Sequence, residues 1–437
     1  MRPLRVLVLP VILAMLAGAC VAEEGGGDGD GAQQEANTGR VNVLFAGEPE
    51  EAEAIQAIFD DMINSQTDYT AEVEASGNLE EQVQIRAQGG TLDVVLLPQP
   101  GTVADLAAAG NIVSLQDLGW QESELTDLFG DYFPSLGEFE GQHYGLPTNI
   151  NLKSMVWYPA DDFQDAGYEV PQTFDELMAL SDQIVQDGGT PWCVGYRSEG
   201  STGWPATDWM EDIMLRTAGT DVYDQWVNHE IPFDDPAVQQ AGEIFGQVMF
   251  TEGYVLGGAE NTPSVGFDEA PAPMFEEPEP GCWLHRQASF INAFFPEDAE
   301  AGVDYDWFPF PPIDQEGTLF AGELAVVGRN APEVQDFLRR FSDQEVQCAM
   351  GGTQASSRIS PNVNVGPDCY ANEILADAST VLTTSLEEGT GRFDASDLMP
   401  PEVGSGSFWT GMVDYMQQGP DALPAILQEI EASWPQQ

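Results

Sequence analysis

Apolar and polar positions near the start of the chain alternate between a strand pattern and a helix pattern. Largely apolar runs predict buried strands over residues 41–46 and 92–97. Between them, apolar residues recur with the spacing of one helix face: Ile55, Ile58, Phe59, Met62 and Ile63. Further helices are predicted over residues 79–88 and 103–109. This alternation indicates parallel βαβ units that are covered by helices on both faces.

The same kind of pattern continues through the rest of the chain. Capping residues predict helices that begin near positions 173, 235 and 332. Residues 190–195 are predicted to form a strand, and residues 408–434 two helices separated by Gly419-Pro420. Residues 257–280 are rich in Pro, Gly and Glu, and we interpret them as a surface excursion.

Two extended segments, residues 145–159 and 307–312, are predicted to carry the chain from one α/β lobe to another. The prolines in the second segment restrict the residues before them to extended conformations. Ligands of open α/β sheets bind outside the carboxyl ends of the strands, so two facing lobes would enclose a ligand cleft.

The chain is strongly acidic. Its 437 residues carry 13 Lys and Arg against 74 Asp and Glu, a formal net charge of −61. Such a surface repels phosphate backbones, so we expect no nucleic-acid partner. The acids are spread along the whole chain, which favours a solvated surface adapted to a saline habitat over a single cation site.

Motifs for phosphate or metal chemistry are missing from the sequence. Lys153 is the only lysine, so the Gly-Lys pair of a phosphate-binding loop does not occur. The three histidines, His143, His229 and His285, lie far apart, and the zinc-protease pattern lacks its second histidine. We therefore expect neither a cofactor nor a bound metal.

The N-terminus has the pattern of an export signal. Arg2 and Arg5 precede an apolar run over residues 6–16, which suits the core of a signal peptide better than a membrane span. Small residues before Cys20 resemble a bacterial lipobox, which implies a signal peptide over residues 1–20 and a lipid anchor on Cys20. An ordinary secretory signal with a structural cysteine is the alternative. Residues 21–40 are interpreted as a flexible acidic tether.

Export also bears on the remaining cysteines. The four others are Cys193, Cys282, Cys348 and Cys369. An even number outside the cytoplasm favours two disulfides over buried free thiols. Three pairings are open to four cysteines, and we favour Cys193–Cys282 with Cys348–Cys369.

Several segments carry a resemblance to a known family: Gly145-Leu146-Pro147, Thr190-Pro191-Trp192-Cys193, Gly203-Trp204-Pro205-Ala206-Thr207-Asp208-Trp209, His285-Arg286-Gln287-Ala288-Ser289-Phe290 and Phe308-Pro309-Phe310-Pro311-Pro312. In them the chain resembles the maltose-binding-protein-like extracellular solute-binding proteins of ABC importers, and is similar to their α-glucoside-binding subset. The resemblance implies a two-lobed periplasmic-binding-protein fold of type II, in which each lobe is a βαβ sheet with helices on both faces. We expect residues 41–148 and 310–357 in the first lobe, and residues 149–309 and 358–437 in the second.

The tryptophan segment is also the best candidate site when it is considered by its residues alone. Sugars present apolar C–H faces and many hydroxyls, so their sites combine aromatic platforms with fixed polar groups. Trp204 precedes a proline at the start of a predicted helix, and Asp208 lies on the same side of that helix. We expect Trp204, Asp208 and Trp209 to contact the ligand; core packing at helical spacing is the alternative.

Further ligand-binding residues are predicted at strand ends and near the crossings between lobes: Glu48, Gln99, Asn149, Lys153, Arg286, Glu323, Arg358 and Trp409. For Arg286, a structural ion pair is at least as good an interpretation. Arg358 and Trp409 either line the second lobe or merely support it. Glu323 follows Gly322 where the α-glucoside-binding relatives commonly have a Gly-Asp pair.

The resemblance implies an extracytoplasmic, monomeric binding protein that closes on an α-glucoside or small oligosaccharide and delivers it to membrane permease subunits. Two alternatives belong to other classes: a secreted glycoside hydrolase and a surface carbohydrate-sensing or adhesion module. A hydrolase needs two carboxylates at a set separation, which a chain with 74 acids does not exclude. We predict no catalytic residue, because no nucleophile–base arrangement is recognisable in the sequence.

Overall fold

The computed structural model describes residues 34–353 and 357–435. The predicted signal peptide (residues 1–20), the lipid anchor on Cys20 and residues 21–33 of the predicted tether lie outside the described residues. The end of the tether is attached to the fold, because the Thr38 amide donates to Glu333 Oε1 at 2.8 Å and the first strand begins at Arg40. The prediction of a flexible tether is therefore wrong for these last residues.

The strands within the described residues are β1 (Arg40–Phe45), β2 (Thr70–Ala75), β3 (Val94–Leu97), β4 (Glu138–Phe139), β5 (Gln142–His143), β6 (Gly145–Leu152), β7 (Met155–Tyr158), β8 (His285–Arg286), β9 (Asp306–Pro309), β10 (Thr318–Val327) and β11 (Gly391–Phe393). The helices of the first half are α1 (Pro49–Met62), α2 (Leu79–Gly89), α3 (Pro100–Ala108), α4 (Glu122–Phe129), α5 (Tyr132–Ser135), α6 (Ala160–Ala166), α7 (Phe174–Gln186) and α8 (Trp204–Ala218). Those of the second half are α9 (Thr220–Val227), α10 (Pro236–Phe250), α11 (Pro332–Phe341), α12 (Gln344–Gly351), α13 (Glu373–Glu388), α14 (Ala395–Leu398), α15 (Trp409–Gln418) and α16 (Leu423–Ala432).

The first lobe is built on a six-stranded sheet with the order β11-β10-β3-β1-β2, in which β6 also pairs with β10. Strands β1, β2 and β3 are parallel, whereas β10 is antiparallel to both β3 and β6. Helices cover both faces of this sheet: Phe45 packs in one core with Phe59 of α1, and Leu44 packs in another with Val83 of α2. This explains why β1 is largely apolar, as the sequence predicts.

The edge strand β2 is absent from the sequence predictions. Its burial alternates along the strand, and its outward positions carry Glu72 and Glu74. A half-exposed edge strand with acidic side chains lacks the largely apolar run that identifies β1 and β3.

The second lobe has a smaller sheet than predicted. Its order is β8-β7-β9 and both pairings are antiparallel, so the expectation of a parallel βαβ sheet is wrong for this lobe. The predicted strand over residues 190–195 is reduced to isolated bridges from Trp192 to Val255 and Leu284. Most of the core is instead helical, with Trp209 of α8, Trp226 of α9 and Phe245 of α10 fully buried.

The chain passes between the two sheets at three places. The first lies between β6 and β7 at Lys153-Ser154, the second between β9 and β10, and the third after β11 at Asp394. The predicted boundary between residues 148 and 149 falls inside β6, because β6 continues to pair with β10 as far as Leu152. Strand β11, which the prediction placed in the second lobe, pairs with β10 in the sheet of the first.

Residues 257–280, predicted as a surface excursion, contain two short 3₁₀ helices, Ala259–Ser264 and Ala272–Phe275. Met274 is fully buried there against Trp157 and Cys282. The segment therefore forms part of the core, and the interpretation as a simple excursion is wrong. Among the described residues, none of the helices combines the length and the apolarity that a membrane span needs.

Both favoured disulfides are present. Cys193–Cys282 joins residues 89 positions apart, and Cys348–Cys369 joins residues 21 positions apart. The first pair links the Trp192 segment to the chain just before β8.

We expect removal of the Cys193–Cys282 disulfide, with serine at both positions, to lower the free energy of unfolding by about 2–4 kcal/mol. Loop-closure entropy grows with the logarithm of loop length, so the loss should exceed that of the Cys348→Ser/Cys369→Ser variant by roughly 1 kcal/mol. Denaturant unfolding of both double variants measures the two losses. The opposite order would show that loop entropy does not govern their contributions.

Candidate functional site

A cavity of about 490 Å³ lies between the sheet of the first lobe and the helices of the second. This volume is within the range of about 300–1,000 Å³ that holds small organic ligands. The walls of the cavity come from both lobes and from the segments that cross between them, as the two-lobed prediction requires.

Three parallel strands of the first lobe bring polar residues to the cavity at their carboxyl ends. Glu48 follows β1, Ser76 follows β2 and Gln99 follows β3, and all three line the cavity. This is the edge at which open α/β sheets bind ligands. Gln99 is 6% exposed, and its Oε1 has no hydrogen-bond partner among the described residues.

Strands β6 and β10 form the base of the cavity. Asn149 and Asn151 lie two residues apart on β6 and both line it, as expected for one face of a strand. Their Oδ1 atoms are buried and find no partner in the described part of the chain. Opposite them, Gly322 allows β10 to approach closely, because a Cβ there would lie 2.4 Å from the Asn149 carbonyl oxygen. The neighbouring Glu323 also lines the cavity.

The second lobe contributes a wall of aromatic side chains, which we call the aromatic wall: Trp204, Phe267, Phe290, Phe294 and Trp409. The ring centroid of Trp204 lies 5.4 Å from that of Phe267 and 6.0 Å from that of Phe290. Trp204 is half-buried, whereas Trp409 is nearly buried and donates from Nε1 to Ser396 Oγ at 3.2 Å.

The local sequence fixes Trp204 at this wall. It is the first residue of α8, and Pro205 occupies the first turn, where its missing N–H costs nothing. Gly203 precedes the helix with a φ of 116°, and a Cβ there would lie 2.4 Å from the Trp409 carbonyl oxygen. Glycine is therefore needed both for the backbone conformation and for the approach of α8 to α15.

An ion-pair group lies on the first-lobe side of the cavity. The guanidinium of Arg358 bonds to Glu323, and its Nη2 lies 3.1 Å from Glu51 Oε1. Burial raises the pKa of Glu51 to about 7 against the attraction of Arg358. Arg358 therefore neutralises part of the negative charge that Glu51 and Glu323 bring to the cavity.

A second group, the hinge network, lies beneath the cavity where the chain crosses between lobes. Lys153 Nζ donates to Asp208 Oδ1 at 2.7 Å and to Asp394 Oδ2 at 2.5 Å. Lys153 follows β6, Asp208 lies on α8 and Asp394 follows β11. The ammonium group therefore joins two crossing segments to the main helix of the second lobe.

The network continues through Asp212, one turn further along α8. Ser154 Oγ donates to Asp212 Oδ1 at 2.8 Å, and Arg286 Nη2 donates to Asp212 Oδ2 at 2.9 Å. Arg216 also bonds to Asp212. Ser154 Oγ in turn accepts from the Leu319 amide at 2.7 Å, which adds the start of β10 to the same network.

Charges in the hinge network perturb one another strongly. Burial raises the pKa of Asp208 to about 7 despite the attraction of Lys153, and Asp394 adds to the rise. Burial also acts to raise the pKa of Asp394, but Lys153 outweighs it, so that this pKa is lowered. Oxygens of Asp208, Glu211 and Asp394 lie within 4.8 Å of one another, a spacing that suits a metal ion. The Lys153 ammonium already bonds two of the three carboxylates.

The structure brings most of the predicted ligand-binding residues to the cavity: Trp204, Glu48, Gln99, Asn149, Lys153, Glu323, Arg358 and Trp409. Asp208, Trp209 and Arg286 do not line it. Asp208 is fully buried and faces Lys153. Trp209 packs in the helical core, where its ring centroid lies 4.9 Å from that of Trp192. Arg286 forms the structural ion pair that was its alternative interpretation. The prediction that these three residues contact the ligand is therefore corrected: they support the residues that line the cavity.

Several cavity residues were not predicted: Phe267, Phe290, Phe294, Asn151, Glu51, Glu80, Asp394 and Asp397. For Asn151 a signal was available, since it shares a strand face with Asn149. Phe267 lies inside the segment that was interpreted as an excursion, and Asp394 follows a strand of three residues that has no apolar run. Only the folded chain places these residues next to Trp204.

Comparison with known proteins adds relatives that cover most of the chain. The alpha-glucosides-binding periplasmic protein AglE of Rhizobium meliloti is 41% identical over 374 residues, which are 82% of this chain and 79% of AglE. The osmoprotective compounds-binding protein GgtB of Synechocystis sp. is 39% identical over 358 residues, 80% of this chain and 82% of GgtB.

Solved structures with the same architecture are more distant in sequence. The solute receptor AcbH superposes with a TM-score of 0.75 at 17% identity, over 90% of this chain and 97% of AcbH. Maltose-bound MalE3 of T. maritima gives a TM-score of 0.70 at 14% identity, over 90% of this chain and 99% of MalE3. They confirm the predicted two-lobed fold. The family model described as bacterial extracellular solute-binding protein matches residues 46–347, and the chain belongs to this family.

Proposed function

We propose that this chain is the sugar-binding protein of an ABC importer and that it binds an α-glucoside or a small oligosaccharide in the cavity between its lobes. The observation that carries the proposal is that the cavity has an aromatic side and a polar side. The aromatic wall faces first-lobe side chains that carry carboxylates and amides. A pyranose ring has the matching division, with apolar C–H faces and a rim of hydroxyls.

The relatives support the choice of ligand class. AglE is described as an α-glucosides-binding protein, and GgtB as a protein that binds osmoprotective compounds. Both share about two fifths of their aligned residues with this chain. A glycoside that contains an α-glucosyl unit, either a disaccharide or a small compatible solute, therefore fits best.

Closure of the lobes would provide the transport signal. At the rim of the cavity, Ser201 Oγ of the second lobe donates to Glu80 Oε1 of the first at 3.2 Å. A ligand that contacts both walls binds the closed form better than the open form, and only this difference in affinity shifts the equilibrium. The closed form then docks on the permease.

The remaining parts of the proposal concern location. We expect export, a lipid anchor on Cys20 and function as a monomer beside the permease subunits. The family description as extracellular supports export. The net charge of −61 suits a saline exterior, where salt screens the repulsion between surface carboxylates.

We expect purified protein to bind one equivalent of a glycoside from a set of maltose, trehalose and glucosylglycerol. Binding should shift tryptophan fluorescence, because Trp204 lies in the cavity, and should reduce the radius of gyration in solution scattering. The sugar should be recovered intact after prolonged incubation. Hydrolysis products would support the glycoside hydrolase alternative, and an unchanged radius at saturation would contradict closure.

A further inference from the structure

The polar part of the cavity wall is rich in acidic side chains. Seven carboxylate side chains line it: Glu48, Glu50, Glu51, Glu80, Glu323, Asp394 and Asp397. Among the described residues that line the cavity, Lys153 and Arg358 are the only basic ones. Acidic side chains of the wall therefore outnumber basic ones by seven to two.

Both basic side chains are already engaged. Lys153 Nζ bonds to Asp208 and Asp394, and it lies 5.2 Å from the centre of the Trp204 ring. The guanidinium of Arg358 is shared between Glu51 and Glu323 and is 3% exposed. Neither cation is free to compensate a negative charge on a ligand.

Two uncharged side chains of the wall also present buried acceptor atoms that lack a donor. Gln99 and Asn149 are each 6% exposed, and the described residues supply no partner for Gln99 Oε1 or Asn149 Oδ1. A buried acceptor without a partner is costly, so these atoms favour a ligand that donates hydrogen bonds into the cavity.

Four of the carboxylates have no cation of their own. Within the described part of the chain, no basic side chain lies within ion-pair distance of Glu48, Glu50, Glu80 or Asp397. Burial raises the pKa of Glu48, and the nearby Asp268 raises it further. Burial and Asp394 raise the pKa of Asp397 well above its ordinary value. Both shifts favour the protonated form, because no cation here stabilises a negative charge, whether on these carboxyl groups or on a ligand.

We propose that the cavity selects its ligand by charge: it binds glycosides that are neutral or carry an amine, and it excludes those that carry a carboxylate or phosphate. The inference rests on the proposed function, since it describes which glycosides enter the same cavity. An anionic group would lose its hydration and face carboxylates at close range. An ammonium group would meet Glu80 as its counter-charge and would favour the ionised form of Asp397.

The test uses three ligands that share one α-glucosyl unit and differ in the charge of the other end: maltitol, 1-amino-1-deoxymaltitol and maltobionate. The same series is repeated for trehalose with its amino and phosphate derivatives. Calorimetry on the wild-type chain should give anion dissociation constants at least 100-fold weaker than those of the neutral partner. The amine should bind at least as tightly as the neutral partner.

Variants then connect this selection to the wall. In Glu80→Gln/Asp397→Asn, the new amide oxygen at position 80 keeps an acceptor for Ser201, while two charges are lost. The ratio of the dissociation constant of the anionic ligand to that of its neutral partner should fall at least tenfold. The control Glu122→Gln/Asp127→Asn removes two charges from the exposed side of α4 and should leave the ratio unchanged.

Two results would overturn the inference in distinguishable ways. An anionic ligand that binds within threefold of its neutral partner would refute selection by charge and leave the proposed function intact. If neither the neutral nor the amine-bearing members bind, the proposed function fails, and the inference that rests on it fails too.

Discussion

Replacing Trp204 by alanine is expected to weaken binding of the preferred glycoside at least 100-fold, about 2.7 kcal/mol of binding free energy. Trp204 is the central member of the aromatic wall, in ring contact with both Phe267 and Phe290. Its removal takes away the platform on which a sugar ring stacks and admits water to the closed cavity. A few buried aromatic anchors usually carry most of the affinity of a site.

Calorimetric titration of Trp204→Ala measures this loss directly. Trp204→Phe keeps a smaller aromatic platform. Its dissociation constant should therefore lie between those of Trp204→Ala and the wild type. Trp434→Ala is the matched control, because Trp434 stacks on His229, with 4.1 Å between the ring centroids, and does not line the cavity. Its binding constant should equal that of the wild type. If the dissociation constant of Trp204→Ala lies within threefold of the wild-type value, Trp204 is not part of the binding site.

Local patterns in the sequence were sufficient for much of the first lobe. Strand β3 is apolar along its length and β1 is largely apolar, because helices cover both faces of the sheet, and such runs are visible without a structure. The same holds for α11, which begins at Pro332 as predicted and buries Val334, Phe337, Leu338 and Phe341. Trp204 was predicted for a related reason, since the Trp-Pro pair marks a helix start.

What the sequence did not predict depends on contacts between distant residues. The spacing of Asp208 from Trp204 puts both on one side of α8, but it does not show that Lys153 lies beneath Asp208. Phe267 enters the aromatic wall from 63 positions away, through a segment held by short 3₁₀ helices. The strands of the second lobe are only two to four residues long, too short for a periodic pattern.

Replacing Lys153 by methionine is expected to destabilise the ligand-free protein by about 3–5 kcal/mol at pH 7.5. Lys153 is 5% exposed, and burial acts to lower its pKa, but Asp208 and Asp394 outweigh this and raise the pKa. The ammonium group is therefore charged in the folded chain. Without it, Asp394 loses its cation at the crossings between the lobes, while Asp208 keeps Arg286, whose Nη1 lies 3.7 Å from Asp208 Oδ2. Arg40→Met is the control, because it removes one charge from an exposed ion pair with Glu72 and should leave the unfolding midpoint unchanged.

The pH dependence distinguishes a lost cation from a simple loss of packing. In the wild type Lys153 lowers the pKa of Asp394, and the stability this provides is present above the unfolded value of about 4 and lost as the pH falls. In Lys153→Met, burial would raise the pKa of Asp394 above its unfolded value. Stability would then be present at low pH and lost as the pH rises through the raised value. The difference in unfolding free energy between the two proteins should therefore shrink from pH 7.5 to pH 5. A difference that is the same at both pH values would mean that Lys153 acts through packing alone, and the hinge network would then not depend on its charge.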